Sequence, residues 1–140
     1  MTASGLTMIV QIIGPPASGK SYIIKNYLKR NKNSISYFDI ASYNHKNSDR
    51  IKHLKHDIYK CKKKNIILES ACGVKLKDSC VVKYNKDKTK VFANFLKREK
   101  YIDTNYLSIL EDMEIKPNYI VTDEETMHTL LDYLFKKKRR

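Results

Sequence analysis

The stretch Gly14-Pro15-Pro16-Ala17-Ser18-Gly19-Lys20-Ser21 satisfies the phosphate-binding pattern G-x-x-x-x-G-K-S/T at every fixed position. No other feature of the chain restricts its fold as much, because the pattern has a physical meaning only between a strand and a helix. Both flanks meet that condition. Met8-Ile9-Val10-Gln11-Ile12-Ile13, ahead of the loop, is a short apolar run that reads as a buried strand. Tyr22-Ile23-Ile24-Lys25-Asn26-Tyr27-Leu28, behind it, carries apolar residues at helical spacing. Gly14 and Gly19 allow backbone torsions and a close approach that a side chain would forbid. The loop N–H groups then point inward at an anion, reinforced by the positive end of the following helix. In that arrangement Lys20 reaches the β- and γ-phosphates and the Ser21 hydroxyl ligates Mg²⁺. The expected ligand is a nucleoside triphosphate, ATP or GTP, since no base-reading motif separates the two.

With 140 residues, 41% of them apolar, the chain has material for one domain with a core of its own. No window approaches the roughly eighteen apolar residues of a membrane span, so no membrane partner is expected. Residues 1–7 (Met1-Thr2-Ala3-Ser4-Gly5-Leu6-Thr7) do not have the make-up of a signal peptide and read as a small, polar, mobile lead. Cys61, Cys72 and Cys80 are odd in number and form no C-x-x-C pair. That argues against a disulfide framework or a zinc site and for buried thiols in an intracellular, cytoplasmic protein.

Strands and helices alternate along the chain. After the first strand and a helix from about Gly19 to Arg30, Ser34–Ile40 reads as a second strand, rich in β-branched and aromatic residues. Ser48-Asp49 can cap a helix with the apolar stripe Ile51, Leu54, Ile58 and Cys61. Asn65–Ser70 and Ser79–Tyr84 are the third and fourth strands. Two helices follow, one through Val91, Phe92, Phe95 and Leu96, the next through Tyr106, Leu107, Leu110 and Met113. Pro117–Thr122 is the fifth strand, and a last helix packs through Met127, Leu130, Leu131 and Leu134. Alternation of this kind implies right-handed crossovers and a parallel sheet: a three-layer α/β domain over residues 8–135, ahead of a basic tail, 136–140.

In such sheets ligands sit beyond the carboxyl ends of the strands, so the polar residues there are the candidates. Asp39 closes the second strand. Glu69 closes Ile66-Ile67-Leu68, an apolar run ending in an acid, which is the signature of a Walker B element whose carboxylate holds Mg²⁺, often through water, or polarises an attacking group. Charge is less specific. The net +13 allows a polyanionic partner such as a nucleic acid, and equally a lysine-rich solvated exterior. Lys136-Lys137-Lys138-Arg139-Arg140 also fits a nuclear localisation signal or a nucleic-acid tail. His53 and His56 share one helix without an obvious third ligand, while His45 and His128 are isolated. Among the tyrosines, Tyr27, Tyr37, Tyr119 and Tyr133 fall at core-type positions.

These residues together resemble the small P-loop kinases, the adenylate-kinase-like and polynucleotide-kinase-like group with shikimate kinase as a cousin. The resemblance spans Met8 to Phe135 and is most specific at the loop. It implies a five-stranded parallel sheet in the order 2-3-1-4-5. It also implies that Asp39 meets the acceptor, as a general base where the acceptor is a hydroxyl, and that Lys97 and Arg98 form a short lid closing over the transferring phosphate. Some members bind acceptor phosphate near the position of Arg50. The chain departs from the pattern in having Glu69 where aspartate is common. It has only Arg30, Arg50 and Arg98 before the tail, against the several arginines of a nucleoside monophosphate kinase. Two functions remain: a Mg²⁺-ATP-dependent phosphotransferase acting on a nucleotide, a 5′-hydroxyl nucleic-acid end or a small metabolite, and an NTPase switch controlling association with nucleic acid or protein.

Overall fold

Strand β1 (Met8–Ile13) has Val10, Ile12 and Ile13 wholly buried, which a strand achieves only in a sheet covered on both faces. The computed structural model describes residues 8–15, 18–31, 34–43, 47–61, 65–85 and 114–137, and within them both covers are present. Helix α1 (Lys20–Asn31) follows the glycine loop, with Ile23, Ile24 and Tyr27 on one buried stripe. Strand β2 (Ile35–Asp39) leads through a 3₁₀ turn, Ile40–Ser42, into α2 (Asn47–Lys60). Strands β3 (Asn65–Ser70), β4 (Ser79–Tyr84) and β5 (Tyr119–Val121) follow, then α3 (Glu124–Lys137).

The sheet order is β2-β3-β1-β4-β5 with every neighbouring pair parallel, the order the sequence resemblance implies. Strand alternation sends side chains to two separate cores. On one face Val10, Ile12, Ile67 and Val82 pack with Ile23, Ile24 and Tyr27 of α1 and with Met127, Leu131 and Phe135 of α3. On the other, Ile66 and Leu68 pack with Leu54 and Ile58 of α2. The connections β1-α1-β2 and β2-α2-β3 run in opposite directions across the sheet, which places their right-handed crossovers on opposite faces.

Element boundaries differ from expectation in a few instructive places. Helix α2 begins at Asn47, so Ser48 and Asp49 lie inside its first turn rather than ahead of it. Strand β5 is only three residues long because Asn118 substitutes a side chain for the ladder. Its N–H donates to Val81 O at 2.7 Å while its Oδ1 accepts from Val81 N at 2.8 Å. Tyr119 and Tyr133 are not core residues; they are 41% and 52% exposed, the first on an edge strand and the second off the buried stripe of α3. The three cysteines are partly rather than fully buried. His128 is not isolated: Nε2 lies 3.1 Å from Ile23 O, and Nδ1 lies 2.7 Å from Arg30, tying α3 to α1. The two helices expected between residues 86 and 113, with Lys97 and Arg98, lie outside the described residues.

One buried amide holds the connection after β3 in place. Gln11, fully buried in the central strand, donates to Val74 O at 2.7 Å and to Ser79 Oγ at 2.9 Å, and its Oε1 accepts from Val74 N at 2.9 Å. The segment Ala71–Val74 is thereby fixed beside the glycine loop, where Gly14 N donates to Ala71 O at 3.3 Å. Replacing Gln11→Leu keeps the packing volume but strands the Val74 N–H and C=O. The expected loss is about 1–3 kcal/mol of stability for each polar group left unpaired, read as a lowered midpoint in urea unfolding.

Candidate active site

Strands β1, β2 and β3 end level with one another. Ile12 pairs with Glu69 and Asp39 pairs with Glu69, so both acids expected from the sequence stand side by side at one edge of the sheet. The loop leaves β1 immediately after Ile13. Gly19 takes φ of +93°, a conformation open to glycine and strained for other residues, and its carbonyl accepts the N–H of Ile23 to open α1. This turn delivers Lys20 and Ser21 to the first turn of α1, over the ends of the central strands.

Glu69 is the electrostatic centre of the site. It is 5% exposed, and a carboxylate so buried stays charged only among donors and cations. Ser21 Oγ donates to Glu69 Oε2 at 2.5 Å, and the Tyr37 hydroxyl donates to Glu69 Oε1. Lys20 Nζ lies 4.0 Å from Oε2 and 3.4 Å from Pro15 O. Burial, the hydrogen bond to Glu69 and the charges of Glu69 and Asp39 together push the Tyr37 hydroxyl far above the ordinary tyrosine range. That phenol therefore remains a proton donor to the carboxylate at any physiological pH. Sequence reasoning treated Tyr37 as core; the available signal was its position two residues before Asp39, on the same face of β2.

Asp39 is half-buried and already has one structural task. Its Oδ1 accepts the N–H of Ala41 at 3.0 Å, capping the 3₁₀ turn that carries the chain away from the sheet. Tyr43, just beyond that turn, donates its hydroxyl to Asp57 at 2.6 Å and ties the turn to α2. Arg50, in the first part of α2, has a buried Nε with no hydrogen-bond partner among the described residues. Cys72 lies close enough to Lys20 for the ammonium to lower its pKa, but burial and Glu114 outweigh that and raise it. His53 and His56 are exposed, and no three His, Cys, Asp or Glu side chains gather as a metal centre among the described residues. Pro16, Ala17, Lys97 and Arg98 fall outside those residues.

The loop has the features a triphosphate and an oxygen-seeking dication require. Ser18 is 1% exposed and its Oγ has no partner among the described residues, a donor within the loop that an anion would satisfy. At Gly14 an added Cβ would sit 3.0 Å from Tyr84 O, so a side chain there would crowd the carbonyl that backs the loop. Ser21 and Glu69 supply hard oxygens of the kind Mg²⁺ prefers. These residues fit the phosphates and the metal that the loop pattern implies.

No protein-family model matches the sequence, and no curated protein matches it. Solved structures do. A gluconokinase from Sinorhizobium meliloti 1021 superposes with a TM-score of 0.66 at 8% identity, over 95% of this chain and 94% of that one. Shikimate kinase from Aquifex aeolicus vf5 superposes with a TM-score of 0.58 at 16% identity, over 94% and 98% of the two chains. Shikimate kinase from Bacteroides thetaiotaomicron gives 0.58 at 11% identity, over 92% and 98%. The chain shares the α/β fold of these kinases and spans nearly their whole length.

Gly14→Ala tests the cradle. The new methyl comes within 3.0 Å of the Tyr84 carbonyl oxygen, so the loop or that carbonyl must give by a few tenths of an ångström. ATP at about a hundred times its Kd should stabilise the unmodified protein by about 2.7 kcal/mol, and most of that gain should vanish in the variant. Thermal melting with and without Mg²⁺-ATP measures it.

Proposed function

We propose that this chain is a Mg²⁺-ATP-dependent phosphotransferase that moves the γ-phosphate to a hydroxyl or phosphate acceptor. The observation that carries the reading is the meeting of Lys20, Ser21, Glu69 and Asp39 where β1, β2 and β3 end. A loop built only to bind a nucleotide has no use for a second carboxylate beside the first, whereas in-line transfer needs a group that receives the acceptor's proton. The kinase fold supports the same reading by analogy.

In this mechanism residues 14–21 enclose the triphosphate, with Gly14, Pro15, Pro16, Ala17, Ser18 and Gly19 as the backbone cradle. The Lys20 ammonium lies against the β- and γ-phosphates and offsets negative charge as the phosphoryl group moves. Ser21 and Glu69 would hold Mg²⁺, which when bound neutralises charge on the β- and γ-oxygens. The acceptor oxygen attacks the γ-phosphorus in line, the bond between that phosphorus and the β,γ-bridging oxygen breaks, and ADP departs. For a hydroxyl acceptor the proton passes to Asp39. Because Oδ1 caps the 3₁₀ turn, Oδ2 is the oxygen for that task. Arg98 would close from the lid over the transferring group, with Lys97 behind it. The buried Nε of Arg50, without a hydrogen-bond partner among the described residues, favours an acceptor that carries a carboxylate or phosphate of its own. GTP could replace ATP without changing any step.

One observation favours a second reading. A net charge of +13 suits a nucleotide-controlled module that binds nucleic acid or an acidic protein. The two readings separate in one assay, transfer of labelled γ-phosphate from ATP to a panel of nucleosides, nucleotides, 5′-hydroxyl oligonucleotides and small metabolites. Label on one acceptor class is the expected result. Label appearing only as free phosphate would replace the phosphotransferase with the switch.

Two substitutions divide the labour of the site. Lys20→Ala should abolish both triphosphate binding and transfer. Asp39→Asn can still cap the 3₁₀ turn through its amide oxygen but cannot take a proton. It should keep ATP affinity within about twofold while transfer to a hydroxyl falls by about 10²–10⁴-fold. Full transfer by Asp39→Asn would remove Asp39 as the base.

A further inference from the structure

Glu69 is one methylene longer than the aspartate common at this position, and that length has a consequence at the metal site. A glutamate has an additional side-chain torsion, so its carboxylate can swing away from Ser21 unless something holds the far oxygen. In this chain something does. Oε2 faces Ser21 at 2.5 Å and Lys20 at 4.0 Å, while Oε1 accepts the Tyr37 hydroxyl. The carboxylate is clamped from both sides, by the first turn of α1 and by the middle of β2.

The placement of Tyr37 is not what core packing alone requires. Its ring packs against the core shared with α1 and α3, a task phenylalanine would perform equally well. The hydroxyl brings a polar group into that half-buried setting, and a buried hydroxyl needs a partner. Its partner is Glu69, the more buried of the two carboxylates of the site, and the charge of Asp39 also bears on it. The same face of β2 thus carries Tyr37 and, two residues on, Asp39. Glu69 is level with Asp39 in the ladder and reaches back to Tyr37.

We propose that Tyr37 is a positioning residue for the metal site: by donating to Glu69 Oε1 it fixes the longer glutamate side chain so that Oε2 is presented to Ser21 and to the dication. This rests on the phosphotransferase reading of the same site and extends it to a residue that touches neither phosphate nor metal. Outer-shell donors of this kind typically set metal affinity by about 10–100-fold. The consequence is selective. Removing the hydroxyl should weaken the metal-dependent part of nucleotide binding and leave the phosphate loop intact.

The test is Tyr37→Phe, read by binding of a fluorescent ATP analogue without turnover, first in EDTA and then across a Mg²⁺ titration. The expected result is an unchanged affinity in EDTA with a Mg²⁺ half-saturation raised about tenfold. In a Glu69→Gln background the same substitution should have no further effect on Mg²⁺ half-saturation, because the group it positions is gone. An unchanged Mg²⁺ half-saturation in Tyr37→Phe overturns the proposal. So does an equal effect of Tyr37→Phe with and without Glu69, which would mean that the hydroxyl acts elsewhere. If the unmodified protein binds the analogue no more tightly with Mg²⁺ than without, the underlying metal-site reading fails and takes this inference with it. Should Tyr37→Phe not fold, 3-fluorotyrosine at position 37 keeps the ring and makes the hydroxyl a stronger donor. A shifted Mg²⁺ half-saturation then supports the clamp, and an unmoved one overturns it.

Discussion

A carboxylate that is 5% exposed at the end of the central strands is the constraint on which the rest of this structure turns. Left without partners there, Glu69 would be far costlier than any single contact in the domain is favourable, since burying a charged or polar group uncompensated carries a large desolvation penalty. The fold supplies what it needs from three directions. Helix α1 brings Ser21 and Lys20, β2 brings Tyr37, and β3 carries the acid itself. The donors come from two elements and the acid from a third, so the network forms only when the crossover β1-α1-β2 and the pairing of β2 with β3 are both complete.

The same geometry explains why the supporting residues lie where they do. Gln11 is buried in the strand that starts the loop, and its amide fixes the segment after Glu69 through both polar groups of Val74. Gly73, in that segment, takes φ of +93°, and an added Cβ would come within 2.5 Å of the Ile115 side chain. The Ile115 N–H donates to Cys72 O at 2.9 Å, so the chain entering β5 is braced against the same turn. Asp39 has a structural task as well: one of its oxygens caps the turn that steers the chain toward α2.

Much of this arrangement was legible in the residues. The loop pattern, the apolar runs ending in Asp39 and Glu69, and the helix stripes through Leu54, Ile58, Met127 and Leu131 all correspond to observed elements. They were legible because each depends on local periodicity or on residues adjacent in the chain. The errors concern tertiary environment. Tyr119 and Tyr133 look like core residues by type, but an edge strand and the outer side of a helix leave them exposed. His128 looked isolated because its partners, Ile23 and Arg30, are about a hundred residues away in the chain.

The sequence by itself determined the parallel α/β class, the place of the glycine loop and the identity of the two strand-end acids. Strand and helix periods, and the torsional freedom of glycine, are properties of short segments. Only the tertiary structure decided that Tyr37 belongs to the site and that both oxygens of Glu69 are engaged. The contact between Tyr37 and Glu69 spans 32 residues and exists because β2 and β3 pair in one particular register. A shift of one residue would turn Tyr37 to the other face of the sheet and leave the buried carboxylate without its second donor.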